Sequence, residues 1–261
     1  MLNHVDDGSV RHWIRLPSPD LEWVIEHYWS ASWDLRGGQP FTQETIPHPA
    51  VHFVLEENNS MIFGVVKKRW TRALEGKGRV FGLKFKPGCF YPFLKSPLSG
   101  LTNRTIPPGN VFGRPGELLE DAILSLNDEG EMVSVAEQFL RERMPERDET
   151  AVLVSTIADR IRNDREIVSV EEITKRFGIT LRNMQRLFDR YVGVSPKWVI
   201  RVYRLHELVE RLDTGEPMNL AHLSQDLGYF DQSHFVRDFK SIAGRTPTEH
   251  QRQFRLGSAS E

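Results

Sequence analysis

A short pattern of residues occurs twice in the C-terminal half of this chain. The first copy reads FGITLRNMQRLFDRYVGVSP and the second LGYFDQSHFVRDFKSIAGRTP. Paired positions are 50 residues apart at first and 51 apart after one inserted residue. They join Ile173, Phe177, Gly178, Met184, Arg186, Phe188, Gly193 and Pro196 to Leu223, Leu227, Gly228, Phe235, Arg237, Phe239, Gly244 and Pro247. So many paired positions indicate a duplicated supersecondary unit.

Each copy has the pattern of two helices joined by a tight turn. The residues suited to cap the helices and form the turn are Ser169, Gly178 and Thr180 in the first copy and Asn219, Gly228 and Asp231 in the second. The second helix of each copy has one apolar face and one polar face with Arg and Gln, joined by Asn183 in the first copy and Ser233 in the second. In a helix-turn-helix, that helix enters the major groove of DNA, where Arg reads guanine and Gln reads adenine.

The stretch SPKWVIRVYRLHELVERLD between the copies predicts one long helix, capped at Ser195 with Pro196 in its first turn. Its apolar residues can pack on both units: Trp198, Val202, Leu205, Leu208 and Leu212. Such a helix would hold the two recognition helices at a fixed distance. Because consecutive major-groove faces lie about 34 Å apart, the pattern predicts that one chain reads two consecutive turns of DNA.

Residues 150–256 resemble the double helix-turn-helix DNA-binding domain of the AraC/XylS family of transcriptional regulators. The stretch LSQDLGYFDQSHFVRDFKSIAGRTPTEHQR carries the resemblance most fully, and ITLRNMQRLFDRYVGVSPKWVIRVYRL follows the same family pattern. By position, the resemblance implies that DNA is contacted by Arg182, Gln185 and Arg186 in the first unit and by Gln232, Ser233 and Arg237 in the second.

The N-terminal part has the alternating pattern of short strands. In WSASWDL, Trp29, Ala31, Trp33 and Leu35 share one face, and VFGLKFKPG repeats the alternation before a Pro87-Gly88 turn. AVHFVLEENNSMIFGVV predicts two strands joined at Glu57-Asn58-Asn59. Through HYW, GLKFKPGCF and LTNRTIP, residues 20–112 resemble an uncharacterised strand-rich N-terminal domain of a subset of the same family, which implies a sensory or assembly role.

These patterns divide the chain into three parts: a β-rich sensory or assembly domain at 1–113, a helical connector at 114–148 and the double helix-turn-helix domain at 149–261. The period of apolar residues becomes helical from Glu117 to Arg143, and this amphipathic connector could pair with its twin or pack on its own barrel. The expected fold is therefore α+β, with a barrel-like N-terminal domain and an all-α C-terminal domain.

The net charge, the number of cysteines and the length of the apolar runs limit the possible functions but do not decide among them. The net charge is −2, and it divides into +3 from residue 160 onward and −5 before it, an asymmetry too mild to settle DNA binding. A single cysteine cannot form an internal disulfide, which favours a reducing cytoplasm. No apolar run approaches the roughly 18 residues needed to cross a bilayer, so no membrane partner is expected.

Three further groups are candidates for chemistry. A basic cluster with Lys67, Arg69, Arg72 and Lys84 could bind an anionic effector, although a solvated hairpin face is the commoner outcome. His48 and His52 have the spacing of helical metal ligands, but they lie in a predicted strand, so no metal is expected. Cys89 has no flanking His or second Cys, and a half-buried structural thiol is expected rather than a nucleophile or redox sensor.

The sequence therefore predicts a DNA-binding transcriptional regulator, activator or repressor, that performs no enzymatic reaction and needs no cofactor. Double-stranded DNA is the expected partner, and RNA polymerase, a small-molecule effector and a second copy of the chain are candidates. One alternative is an enzyme with an N-terminal active site near Cys89, His48 and His52 that is targeted to DNA. The other is an adaptor whose helical domain binds protein.

Overall fold

The structure is a computed structural model that describes residues 10–213, 224 and 231–258. Its N-terminal part contains the strands β1 (Val10–Arg15), β2 (Ile25–Asp34), β3 (Phe41–Thr45), β4 (His52–Glu56), β5 (Met61–Phe63), β6 (Trp70–Leu74), β7 (Lys77–Phe85) and β8 (Thr105–Ile106). Six of them form one antiparallel sheet in the order β1-β2-β7-β4-β5-β8, and β3 pairs with β6 in a separate two-stranded sheet. The sheet domain has the strand-rich character that the alternating patterns predict.

Strand β7 lies at the centre of the larger sheet, between β2 and β4. Trp29 and Trp33 of β2 lie opposite Gly82 and Gly78 of β7. A Cβ atom on either glycine would come within 2.3 Å of the facing indole, so these positions need glycine to admit the tryptophans. The face predicted for WSASWDL is confirmed, because Trp29, Ala31, Trp33 and Leu35 pack in one small cluster.

The helical connector is confirmed but divided. After the short helices α1 (Tyr91–Leu94) and α2 (Gly109–Phe112) come α3 (Arg114–Leu124) and α4 (Glu129–Arg141). The chain breaks between them because Asp128 caps α4, accepting a hydrogen bond from the Glu131 amide. The connector packs on its own sheet, where the Phe139 ring of α4 lies 6.3 Å from Phe53 and 5.1 Å from Phe112 of α2 between ring centroids.

The C-terminal helices are α5 (Glu149–Asn163), α6 (Val170–Phe177), α7 (Leu181–Tyr191), α8 (Pro196–Asp213), α9 (Gln232–Ala243) and α10 (Pro247–Ser258). The predicted caps are confirmed where the structure describes them. Ser169 forms a capping box with Glu172, Gly178 ends α6 with φ +62°, and Thr180 and Asp231 cap α7 and α9. Asn219, Leu223, Leu227 and Gly228 lie outside the described residues.

The buried apolar side chains form two main clusters. The larger is continuous from the sheet through the connector to the first helix-turn-helix unit, and it includes Phe53, Phe139 and Phe188. The smaller one joins α8 to the second unit and is built around Phe235 and Phe239. No helix in the described ranges is long and apolar enough to span a membrane.

Candidate nucleic-acid interface

The first recognition helix, α7, turns one face into the core and the other to solvent. Met184 and Phe188 are fully buried, whereas Arg182, Gln185 and Arg186 are exposed. The three exposed residues lie in the first half of α7, near the end where backbone N–H groups are free. A helix N-terminus attracts anions, so this end is suited to approach a phosphate backbone while its side chains reach the base edges.

The second recognition helix, α9, repeats this arrangement. Phe235 and Phe239 are buried, and Gln232 and Ser233 are exposed directly after the Asp231 cap. Arg237 is also exposed, and its Nε donates to the Ser233 carbonyl at 3.2 Å. The six residues predicted from the sequence therefore form two exposed faces, with three residues on α7 and three on α9.

The linker helix α8 has 18 residues, which corresponds to a length of about 27 Å. It is attached to the second recognition helix by a partly buried ion pair, in which Arg201 Nε donates to Asp238 Oδ2 at 2.6 Å. Its apolar side chains Val202, Leu205, Leu208 and Leu212 lie in the core cluster of the second unit. The predicted linker helix is therefore present, and it contacts α9 through both apolar side chains and an ion pair.

Sequence analysis missed the role of Arg204, which lies on the same helix and is only 3% exposed. Its Nη2 donates to the carbonyl oxygens of Ile161 at 2.7 Å and Asp164 at 2.6 Å, at the C-terminal end of α5. The last carbonyls of a helix have no intrahelical donor, so Arg204 supplies one to Ile161 and a second one to Asp164, whose carbonyl also accepts from the Ile167 N–H. A buried arginine in the middle of a predicted apolar helix face is the signal that could have revealed this contact.

The structure divides the four candidate effector-binding residues. Lys67 is exposed, while Arg69 Nη1 binds Glu44 Oε1 at 2.7 Å and Arg72 Nη1 binds Glu56 Oε2 at 2.7 Å. Lys84 is buried on β7, and its side chain lines a cavity that the other three residues do not line. The two arginine guanidinium groups are thus occupied by carboxylates of the sheet domain itself.

Lys84 lies in a polar cavity of about 360 Å³ between the sheet and the helical region. Its Nζ lies 3.2 Å from Glu26 Oε1 and 3.4 Å from His48 Nδ1. Burial lowers the pKa of Lys84, and the carboxylate of Glu26 opposes that shift. Burial alone would raise the pKa of Glu26, but Lys84 and Arg162 together hold it below its usual range.

Two histidines from opposite sides of this cavity face each other. The rings of His48 and His206 lie 4.2 Å apart between centroids, and His206 Nε2 donates to the Pro47 carbonyl at 2.7 Å. Burial lowers the pKa of His206 to about 4 and holds the pKa of His48 well below its usual range, so both rings are neutral at neutral pH. Within the described ranges, no three His, Cys, Asp or Glu residues are arranged to hold a metal ion.

The Cys89 thiol is fully buried rather than half-buried as expected. It lies 3.9 Å from the Ala151 carbonyl oxygen and 4.0 Å from that of Pro87. Burial raises the pKa of this thiol to about 12. The thiolate that a nucleophilic or redox role requires is therefore not formed at neutral pH.

Comparison with known proteins agrees with this geometry. Residues 173–253 match a family described as a helix-turn-helix domain, and residues 14–107 match a domain of unknown function, DUF6597. The multiple antibiotic resistance protein MarA of Escherichia coli (strain K12) is 27% identical over 109 residues, which cover 41% of this chain and 84% of MarA. MarA of Salmonella typhimurium matches equally well. The C-terminal domain is of the AraC/XylS type. The chain is accordingly a DNA-binding transcriptional regulator.

Solved structures of ToxT from Vibrio cholerae align with most of this chain. ToxT from Vibrio cholerae O395 is 11% identical, with a TM-score of 0.39 over 94% of this chain and 98% of ToxT. A ToxT structure at 1.65 Å resolution is also 11% identical, with a TM-score of 0.40 over 93% of this chain and 97% of ToxT.

Proposed function

We propose that this regulator reads two consecutive major grooves of its operator, one with α7 and one with α9. The proposal rests on one observation: two capped helices present exposed polar faces, and the linker helix α8, which follows the first, packs on the second. The length of α8, about 27 Å, is of the same order as the 34 Å between successive major-groove faces. The proposed contacts are Arg182, Gln185 and Arg186 in one groove and Gln232, Ser233 and Arg237 in the next.

The reading chemistry follows from the side chains. Gln185 and Gln232 can each pair with adenine N6 and N7, and Arg182 can pair with guanine O6 and N7. None of these contacts needs a metal or a cofactor, and we infer that the regulator carries out no enzymatic reaction. The buried Cys89 thiol supports this inference. Action on chromosomal operators would take place in the cytoplasm, and RNA polymerase and a second copy of the chain stay predicted partners.

We also propose that a small polar effector acts through the cavity around Lys84 rather than through Lys67, Arg69 and Arg72. Lys84 and Glu26 supply charges from the sheet domain, and His206 lies on the linker helix. A molecule bound there would touch both the sheet and the spacer of the reading units. Lys84→Gln should then change effector-dependent regulation in a reporter assay, whereas Arg72→Gln, which breaks only a pair inside the sheet domain, should not.

Binding to the DNA upstream of the regulator's own gene tests the main proposal. The full chain should shift this fragment specifically, and its affinity should fall steeply between about 50 and 200 mM salt because phosphate contacts release counterions. Replacing Arg182 and Arg186 by Ala should weaken the complex, while replacing two exposed arginines of the connector side, Arg114 and Arg147, should not. A folded protein without salt-sensitive, sequence-preferring DNA affinity would overturn the proposal.

A further inference from the structure

We propose that the sheet domain sets the operator spacing by clamping the second recognition unit. The clamp is formed by Glu44, Ile46, Pro47 and Arg69, which lie at the end of β3 and just before β6. None of these residues belongs to the DNA-reading faces. The inference rests on the proposed reading of two grooves and adds a specificity-determining element outside the helix-turn-helix domain.

The apolar part of the clamp is Ile46. This side chain comes from the sheet domain, yet it is 7% exposed and lies in the core cluster of the second unit, with Phe235, Phe239 and Ile242 of α9. The other members of that cluster come from α8 and α9. A sheet-domain residue thus completes the core that supports the second recognition helix.

The polar part of the clamp holds the C-terminal end of α9. The Arg69 N–H donates to the Ile242 carbonyl at 2.8 Å, and the Glu44 carboxylate forms ion pairs with both Arg69 and Arg245. Gly244, which ends α9 with φ +74°, lies against the Arg69 guanidinium, and a Cβ atom there would come within 2.7 Å of Arg69 Nε. These contacts grip the helix at the end opposite Gln232, so the reading end stays accessible.

The same segment also holds the linker helix. The Pro47 carbonyl accepts a hydrogen bond from His206 Nε2 at 2.7 Å, and the next residue, His48, packs its ring on the same imidazole. One stretch of five residues therefore contacts the second unit through Glu44 and Ile46 and the spacer through Pro47 and His48.

The first unit is anchored to the same domain at the corresponding end of its recognition helix. Thr102 Oγ1 donates to the Gly193 carbonyl at 2.6 Å, and Arg190 Nε donates to the Tyr91 hydroxyl oxygen at 2.6 Å. Ser99 Oγ donates to Asp189 Oδ2 at 3.1 Å. Both recognition helices are thus tied to one rigid sheet domain. Their relative position is set by two parallel connections, the linker helix and the sheet, rather than by α8 alone.

A double variant, Glu44→Gln with Ile46→Ser, tests the clamp. A matched control is Glu56→Gln with Val54→Ser, because Glu56 pairs with Arg72 and Val54 packs in the small sheet-domain cluster. Both variants remove one carboxylate and one apolar side chain from the sheet domain. Among the described residues, Glu44 and Ile46 contact the second helix-turn-helix unit, whereas the Glu56 ion pair and the Val54 cluster lie within the sheet domain. Glu44→Gln alone is a milder variant that keeps the Ile46 packing. Thermal melts followed by circular dichroism identify which variants fold.

The measurement is the affinity of the full chain for its selected operator and for operators with one, two or five base pairs inserted between the half-sites. Wild-type protein should lose about tenfold or more in affinity with each insertion, because rigidly linked sites bind together only when the spacing matches. The clamp variant should bind the first half-site as well as wild type does. It should bind the intact operator about tenfold more weakly and lose less than about threefold on one- or two-base-pair insertions.

The outcomes separate the two proposals. If wild-type protein shows no dependence on the second half-site, the two-groove function fails, whatever the clamp does. If wild type depends on spacing and the folded clamp variants, including Glu44→Gln, keep the full dependence, the clamp inference is wrong while the two-groove function stands. Equal loss of spacing preference in the Glu56 and Val54 control would also overturn the clamp, because the effect would then come from general loosening of the sheet domain.

Discussion

Replacing Arg204 by Met should lower the free energy of unfolding by about 3–5 kcal/mol. The guanidinium is 3% exposed and donates two short hydrogen bonds, to Ile161 and Asp164, while Nη1 lies 3.1 Å from Glu207 Oε2. A hydrogen bond from a charged donor contributes about 1.5–3 kcal/mol, and the loss of both also removes the side-chain donor from the Ile161 carbonyl, whereas the Asp164 carbonyl keeps the Ile167 N–H at 3.2 Å. Met keeps most of the volume of the side chain, so the loss should come from these polar groups and not from a cavity.

Urea denaturation followed by circular dichroism measures the effect as a shift of the midpoint at constant slope. Arg201→Met is the matched control, because it removes an arginine from the same helix whose side chain is 34% exposed. Water can reach Arg201 but not Asp238, whose side chain is 9% exposed, so the control should cost about 2 kcal/mol, less than Arg204→Met. Arg204→Lys should recover less than half of the loss, since one ammonium group cannot span both carbonyls. A cost below about 1 kcal/mol for Arg204→Met, or equal costs for the two Met variants, would refute this reasoning.

Three further predictions concern the reading helices and the buried groups. Gln185→Ala and Gln232→Ala should each weaken operator binding by about 1–3 kcal/mol, and the two losses should add in the double variant. Selection from randomised operators should show that each variant loses base preference at a different base pair. Loss of preference at the same base pair would contradict the two-groove proposal. Burial lowers the pKa of His52 to about 3. Below about pH 6.5 the unfolded chain therefore binds a proton at His52 that the folded chain does not bind. The free energy of unfolding should then fall by up to about 1.4 kcal/mol per pH unit between about pH 6.5 and 4. Denaturation curves of His52→Gln should show a shallower pH dependence, and an unchanged slope would exclude His52 as the cause. Cys89 should react with a thiol reagent at neutral pH only as fast as the protein opens, and rapid labelling of the native protein would show that the thiol is accessible.

The parts of the fold that depend on local signals could be predicted from the sequence. The capping box of Ser169 with Glu172, the positive φ of Gly178 and the Thr180 cap all involve residues within a few positions of each other. The apolar faces of α7 and α9 follow from helical periodicity in the same way, and the duplication doubles the signal. For this reason the double helix-turn-helix and the exposed reading residues could be placed without coordinates.

The parts of the fold that depend on pairing between residues far apart in the chain could not be predicted from the sequence. Strand β7 pairs with β2, whose residues lie about 50 positions earlier, and nothing in either strand alone selects that partner. The basic residues Lys84 and Arg69 are close in sequence but lie in different environments, because β7 is central in the larger sheet and Arg69 precedes the separate strand β6. Ile46 carries no sign that it completes the core of another unit, since an apolar residue after a strand is ordinarily assigned to the core of its own sheet.

The division of the buried side chains into two clusters has a consequence for how this protein opens. The first recognition helix shares its cluster with the sheet, so exposing it requires the loss of most of the core. Among the described residues, the second unit packs in a smaller cluster, which it forms with α8 and with Ile46 of the sheet domain. Cooperative units of this kind open at different free energies, and the one with fewer buried contacts opens first. Amide hydrogens of α9 should therefore exchange with solvent through a sub-global opening, whereas those of α7 should exchange only when the whole molecule unfolds. On DNA, α7 would then be the fixed reader, and α9 would detach and rebind only when its contacts with Glu44, Ile46 and Arg69 open as well.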